Sequence, residues 1–357
     1  MPCGLGTQMR ILFHASHLLH WRSLIPVACE LSRRGHEIVV QTSRPDWLGM
    51  PTYQMNWRPT KVTGINKTSL TWLAGKMGWG QEWQSKQPRI SYPCLGLDHL
   101  DAAVTTTKDL AWARQQKEAG IQAFAVGYQH FPAVMQIGVG PCTWAYMPKP
   151  FWYEEPFAKA HEFEMIMCLG PGRSCGFPHL DKVPKATTLP KENIVAIQHH
   201  GGYRGLVGHQ WLSRLVRIVE NSGYRSDVIL HPIPGLGYGK RAVGRAVSQR
   251  AVIWDTQWEI ADRARYVLTT GSSSAYDHWS VGLKNVYVLT YLGGGRDKAF
   301  RTFPDICINS EDELKLLLSG QMWEGNYPMT KEVMDAFETV HTGQGAKTAA
   351  DVIEGKR

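Results

Sequence analysis

What this 357-residue chain lacks narrows its reading first. No stretch approaches eighteen uninterrupted apolar residues, so no membrane-spanning helix is expected. The opening, MPCGLGTQMRILFHA, has no charged region followed by a long apolar core and a cleavage site. It reads as a short tail leading into a strand, and a cytoplasmic location is expected. The seven cysteines are odd in number, widely spaced and without a C-x-x-C pair, which argues against a disulfide framework. The tightest metal-like grouping, His161, Cys168, Cys175 and His179, has no common zinc spacing. Separate buried thiols and loop histidines are expected there, and no metal site. Acidic residues are in short supply, 31 against 39 Lys and Arg, for a formal net charge of +8. That balance favours an anionic partner: nucleic acid, anionic lipid or a polyanionic substrate.

What is present is an α/β alternation long enough for two domains. Met9 to His14 reads as a buried first strand. A helix is expected over Trp21 to Arg34, with Leu24, Val27, Ala28 and Leu31 on one face and Gly35 as its stop. Glu37 to Thr42 follows as a strand. Residues 44–95 break the rhythm and read as an insertion in which Trp47, Trp57, Trp72, Trp79 and Trp83 sit among Arg58, Lys61, Lys67, Lys76, Lys86 and Arg89. Alternation resumes at Ala102 to Thr106, Asp109 to Ala119, Gln122 to Gly127 and Met165 to Leu169. The polar, proline-punctuated stretch 181–192 reads as a linker. Beyond it, strands are expected near 194–198, 227–231, 251–254, 266–270 and 285–290, then Asp305–Ile308. An amphipathic helix is expected from His209 to Asn221, and two closing helices over 328–339 and 346–355. The implied division is 1–180, a first domain carrying the 44–95 insertion; 181–192, the linker; 193–325, a second domain; and 326–357, the closing helices.

The most informative stretch is Tyr266–Val267–Leu268–Thr269–Thr270, ending at Gly271, Ser272, Ser273 and Ser274 before a short helical pattern with Asp277. A strand, a small-residue turn and a helix start suit a phosphate, and a carboxylate one turn further suits sugar hydroxyls. Gly201, Gly202 and Arg204 follow another strand and offer close backbone approach and a planar cation. His231 ends a third strand. Trp254 and Gln257 follow a fourth, where a ring can stack on a base and an amide can read its edge. In the first half His14, His17 and His20 follow the opening strand, where a histidine suits a general base. A capping or packing role is the alternative for each.

These residues resemble the nucleotide-sugar glycosyltransferases of the GT-B fold. His20 to Val40 looks like the opening of the inverting members. W-x-x-Q at Trp254 and Gln257, then Gly271, Ser272, Ser274 and Asp277, is similar to their nucleotide-binding signature. The chain departs from it at Thr270, where a histidine is usual, at Ser272–Ser273 and at Asp277, where glutamate is usual. The run from His231–Pro232 to Ser272–Ser273–Ser274 also resembles the teichoic-acid glycerophosphotransferases. The resemblance implies two Rossmann-like doubly wound domains facing across a cleft, with C-terminal helices crossing back and no metal required. It implies His20 as base, with His17 close enough to compete and a carboxylate to orient it (Asp109, with Asp98 and Asp101 behind). The donor, a nucleotide-sugar with UDP favoured as carrier, would lie against Trp254, Gln257, Ser272 to Ser274 and Asp277. The leaving diphosphate would be met by the Gly271 turn and Arg204.

The basic, aromatic 44–95 segment points to glycosyl transfer onto a hydroxymethylated pyrimidine in double-stranded DNA, a phage-type modification taking place in the host cytoplasm. Transfer of a glycosyl or polyol-phosphate group to a cell-envelope lipid or polymer is the second reading, with Leu70, Trp72, Leu73, Met77 and Trp79 dipping into a membrane interface. A sugar-nucleotide epimerase and a non-catalytic nucleic-acid-binding module complete the alternatives.

Overall fold

A computed structural model describes residues 8–15, 18–41, 67–86, 89–91, 99–106, 110–126, 164–166, 177–187, 191–198, 208–229, 251–252, 257–270, 274–292, 307–322 and 343–356. The first sheet holds β1 (Arg10–His14), β2 (Glu37–Gln41), β3 (Arg89–Ser91), β4 (Ala102–Thr106), β5 (Gln122–Val126) and β6 (Glu164–Ile166) in the order β3-β2-β1-β4-β5-β6. The second holds β7 (Glu192–Gln198), β8 (Arg225–Ile229), β9 (Ala251–Val252), β10 (Ala264–Thr269), β11 (Val286–Leu289) and β12 (Cys307–Ile308), ordered β12-β11-β10-β7-β8-β9. Counted from its own first strand, each sheet has one and the same doubly wound order. Every described pairing is parallel. Both faces of such sheets are covered, which is why Ile11, Leu12 and Phe13, or Ala102 to Val104, are apolar without alternation.

The order reverses between β1 and β4 in the first sheet and between β7 and β10 in the second. Those two positions are the crevices where an open α/β sheet takes its ligands. The helix α1 (Trp21–Arg33) leaves the first crevice with Leu24, Val27, Ala28 and Leu31 buried, as its spacing requires. It stops at Gly35, whose φ of 98° suits glycine, while the N–H of His36 reaches back to the Leu31 carbonyl at 3.2 Å. In the second half α5 (Gly208–Asn221) buries Leu212, Leu215, Val216 and Val219, again the expected stripe, and α8 (Glu311–Leu318) adds Leu314, Leu317 and Leu318 to the same core.

The described pieces of the 44–95 segment are built into the first domain. Its last described piece, β3, is the edge strand of the first sheet. Before it, α2 (Lys67–Lys76) and α3 (Gly80–Lys86) pack into the same core as α1. Leu70, Leu73, Ala74 and Met77 stand at helical i, i+3, i+4, i+7 spacing and are buried. Trp83 is buried too, and Trp72 and Trp79 pack partly buried against the cluster. These side chains therefore hold α2 and α3 to the first domain. Burying one large apolar side chain contributes about 1.5–3 kcal/mol, which a membrane interface or an extruded base would have to replace.

The end of the chain returns to the first half. The helix α9 (Gly345–Ile353) adds Ala349, Ala350, Val352 and Ile353 to the core built by α1. Arg34 binds Asp351 at 2.6 Å and also Glu354, and His36 binds Glu354 at 2.7 Å. The α9 N-terminus is capped from a distance: Asp181 accepts from the Gly345 and Ala346 N–H groups at 2.8 and 2.7 Å. Gly345 is needed for that approach, because a Cβ there would stand 2.8 Å from the Pro178 nitrogen. The other closing helix expected, 328–339, lies outside the described residues.

Candidate functional site

The second crevice lies at the carboxyl ends of β7 and β10, where the strand order reverses. Gln198 ends β7 and pairs in register with Thr269 of β10 on one side and Ile229 of β8 on the other; β8 in turn pairs with β9. Gly201, Gly202, Arg204, His231, Trp254, Gly271, Ser272 and Ser273 lie outside the described residues, yet all follow the carboxyl ends of these four neighbouring strands in the chain. Gln257 opens α6 (Gln257–Arg263), and Ser274 opens α7 (Ser274–Ser280) with Asp277 in its first turn.

Ser274 and Asp277 are both engaged. The Ser274 hydroxyl lies 2.7 Å from the Gln198 amide oxygen, and the Gln198 amide nitrogen meets Nε2 of His278. His278 is fully buried, and burial pushes its imidazole down to about 4 despite the neighbouring Asp277. The ring is neutral at any pH near 7. Trp258, on α6, stands edge-to-face on it at 4.9 Å.

Asp277 spans the two halves of the molecule. One carboxylate oxygen takes Arg22 of α1 at 3.0 Å; the other takes Nε2 of His179 at 3.0 Å. All three side chains are buried or nearly so, at 6%, 11% and 2% exposure for Asp277, Arg22 and His179. The expectation that Asp277 reads ribose hydroxyls therefore meets a different geometry, in which its oxygens serve an interdomain ion-pair cluster. His179, grouped in sequence with three residues outside the described ones, is a partner of this carboxylate. No group of metal-binding residues occurs among the described residues.

The first crevice is built around the turn that joins β1 to α1. Trp21, fully buried, donates its indole N–H to the Ala15 carbonyl at 3.3 Å and so anchors the turn. His20 occupies the N-cap position with helical backbone, half-buried, and its side chain makes no capping bond to α1. One structural role is thereby removed. His14 is stacked on Trp112 of α4 (Leu110–Glu118) with ring centroids 4.7 Å apart, and Trp112 is tied to Gln41 at 3.0 Å. His14 is thus a packing residue. His17 and Asp109 lie outside the described residues; Asp109 follows β4, the strand beside β1. Asp98 is also outside. Asp101 is corrected: it precedes β4 and accepts the Arg10 N–H at 2.6 Å, at the amino ends of the strands, far from His20.

Arg22 stands two residues after His20, and Asp277 six after Gly271. Their 3.0 Å contact sets the start of α1 against the start of α7. The segment 177–187 reinforces the junction. Lys182 bonds the Gly78 carbonyl at 2.7 Å, pairs with Glu82 and sits over the Trp79 ring. Further along, Ala186 bonds the Val281 carbonyl at 2.7 Å and Thr187 bonds Asp262. A cavity of about 450 Å³ opens beside it, lined by Arg22, Lys76, Lys182, Trp258, Glu259 and Asp262 among others. Of the cations assigned to nucleic acid, Lys76 lines this cavity. Lys67, Lys86 and Arg89 belong to α2, α3 and β3, and Arg58 and Lys61 lie outside the described residues.

Arg22, His179, Gln198, Trp258 and His278 went unassigned by sequence reasoning. Two signals were available: an amide closing an otherwise apolar strand at Gln198, and a histidine inside the buried stripe of a short helix at His278. Nothing local marks Arg22 or His179, whose partner is far along the chain.

No protein-family model matches this chain, and no curated protein does. Solved structures do. UGT89C1 of Arabidopsis thaliana, complexed with UDP-L-rhamnose, is similar over 98% of this chain and 99% of its own, with TM-score 0.54 and 12% identity. LpCGTa in complex with UDP matches over 97% and 98%, with TM-score 0.52 and 12% identity. UGT2 of Phytolacca americana, complexed with UDP-2fluoro-glucose and pterostilbene, matches over 98% and 100%, with TM-score 0.51 and 10% identity. The likeness spans both halves, and the architecture is the GT-B fold: two doubly wound α/β domains with the final helix crossing back.

Proposed function

We propose that this chain is a glycosyltransferase that moves a sugar from a nucleoside-diphosphate carrier to an acceptor hydroxyl. The observation that carries the reading is the Arg22–Asp277 contact. It sets the start of α1, which follows His20, against the start of α7, which follows Gly271 in the chain, and so supports a cleft shared by a proton acceptor and an anion pocket. In the reaction, His20 takes the acceptor proton as the oxygen attacks the anomeric carbon. The bond to the carrier breaks, and its diphosphate leaves toward the Gly271 turn and Arg204. Asp109, beside β1 through β4, orients the imidazole. Gly201, Gly202, His231, Trp254, Gln257 and Ser272 to Ser274 line the donor, at the carboxyl ends of strands that pair side by side. UDP is the carrier we assign, since UDP and UDP-sugars occupy the similar structures. Asp277 we assign to holding the two halves together.

The acceptor we assign is a hydroxymethylated base in DNA. What supports it is the net charge of +8 together with Arg58, Lys61, Lys67, Lys76, Lys86 and Arg89 in the first half. The tryptophans of α2 and α3 no longer contribute to it. The test is a thermal-shift panel of sugar nucleotides followed by transfer assays on hydroxymethylated DNA. Stabilisation by a UDP-sugar and salt-sensitive transfer to DNA are expected. No stabilisation by any sugar nucleotide would sink the donor reading. Stabilisation without DNA binding would sink the acceptor alone.

A further inference from the structure

The cavity at the junction of the two halves has no part in the transfer proposed above. Its walls come from the end of α2, the segment 177–187, α6 and the stretch where α7 ends, at Val281 and Leu283. No residue of β7, β8, β9 or β10 lines it. Helix α6 leads away from the carboxyl ends of the strands to the start of β10, and α7 leads away from them to the start of β11. The cavity is therefore set along these helices, behind the crevice. Arg22 and His179 stand in its wall, while Asp277, which holds both, does not line it. Its volume of about 450 Å³ is ample for a small organic molecule.

The rim is preformed. The Val183 N–H bonds the Leu180 carbonyl at 2.8 Å and the Ala186 N–H bonds the Val281 carbonyl at 2.7 Å. Pro184 and Lys185 thus lie between two fixed points, and proline stiffens the backbone there. Apolar wall comes from Met77, Val183, Pro184, Val281 and Leu283, and from the Trp258 ring, itself steadied edge-to-face on buried His278 at 4.9 Å. The charges around the cavity do not cancel. Asp262 pairs with Lys191 and Glu259 with Arg263, two cations outside the lining. Asp262 also accepts from the N–H and the hydroxyl of Thr187. Arg22 is committed to Asp277, and Lys182 to Gly78 and Glu82. Lys185 is exposed on the rim and pairs with no acid among the described residues.

We propose that this cavity binds a small aromatic anion, a carboxylate or a phosphate monoester. Its ring lies against Trp258 and the aliphatic wall, and its charged end is met by Lys185. An occupant there touches α2, the connecting segment, α6 and α7 at once and so braces the junction. The proposal does not rest on the donor reading.

Methyl-detected NMR of the full chain, titrated with naphthoate, reads the site through Val183, Val281 and Leu283. Shifts at these methyls and a dissociation constant of about 1 mM or tighter are expected, as usual for a ligand of that size. Acetate, which lacks the ring, and naphthylmethylammonium, which reverses the charge, are expected to leave the methyls unmoved. Lys185→Glu should weaken naphthoate about ten-fold, and Lys185→Arg should bind like the parent. Naphthyl phosphate binding more tightly than naphthoate would assign a phosphate to the charged end, and the reverse order a carboxylate. No shift at these methyls, equal binding of the ammonium, or unchanged affinity in Lys185→Glu overturns the proposal. Saturating UDP is expected to leave the titration as it was; competition would put the anion in the crevice and overturn a separate site. A chain that binds naphthoate as described but binds no UDP sinks the donor reading and leaves this site standing.

Discussion

The two crevices of this molecule share one strand order and differ in how their ends are finished. At the β1/β4 reversal the decisive side chains are held by local packing: Trp21 bonds the Ala15 carbonyl, and His14 lies flat on Trp112. At the β7/β10 reversal they are held by a buried polar chain through Gln198 and His278. Between the two stands one ion-pair cluster, Arg22–Asp277–His179. The same scaffold thus leaves a histidine half-buried at one crevice and fixes hydroxyl and carboxylate groups at the other. That difference suits the roles we propose, since a base must reach its substrate and donors for an anion must be preorganised, while the carboxylate serves the ion-pair cluster.

The change expected to break this comparison most is His20→Ala. It should lower glycosyl transfer by about 10²- to 10⁴-fold with no loss of UDP binding and no change in the unfolding midpoint. Equal losses of both would place His20 in the scaffold. Next is Asp277→Ala, which removes from a buried site the carboxylate that Arg22 and His179 share. Denaturant unfolding should show a loss of about 3–5 kcal/mol, and Arg22→Leu combined with Asp277→Leu should recover part of it. Leu73→Ala should cost about 3 kcal/mol by the same measurement, because it opens a cavity between α2 and α1. A cost near zero would show that α2 adds nothing to the core of the first domain.

The smallest effect concerns the attachment of α9, and it has two signs. Burial raises the Glu354 carboxyl, but hydrogen bonds from His36, Lys356 and Arg34 outweigh it and bring it down to about 2. A lowered folded value means stability present above about pH 4.5 and lost as pH falls toward 2, on the order of 1–2 kcal/mol after screening. Asp181 runs the other way. Burial pushes it up to about 6, and the Ala346 and Gly345 N–H groups offset only part of that. Its contribution is complete below about pH 4 and is lost as pH rises through 6. Amide exchange of residues 345–353 should therefore be slowest between these windows. Protection that climbs steadily from pH 4 to 7 would show that Asp181 does not govern the cap.

Much of the framework was legible in the chain. Buried parallel strands are apolar without alternation, as at Ile11 to Phe13, and α1 and α5 display their stripes at helical spacing. Residues 44–95 misled because prolines, glycines and tryptophans masked a short strand of three residues and an apolar stripe of only two turns. Asp277 misled for a different reason. Its position in the motif was read correctly as the first turn of a helix, but its partners lie 255 and 98 residues away.

The amino-acid sequence by itself determined the alternation of strands and helices and the stop at Gly35, because these depend on neighbours within a few residues. Only the tertiary structure decided that α2 and α3 belong to the core, that Asp181 caps a helix 164 residues on, and that Asp277 binds Arg22 rather than standing open. The physical reason is reach. Propensity and periodicity act along the chain, whereas the charge state, burial and hydrogen-bond partners of a side chain are set by whatever the fold brings within about 3 Å of it.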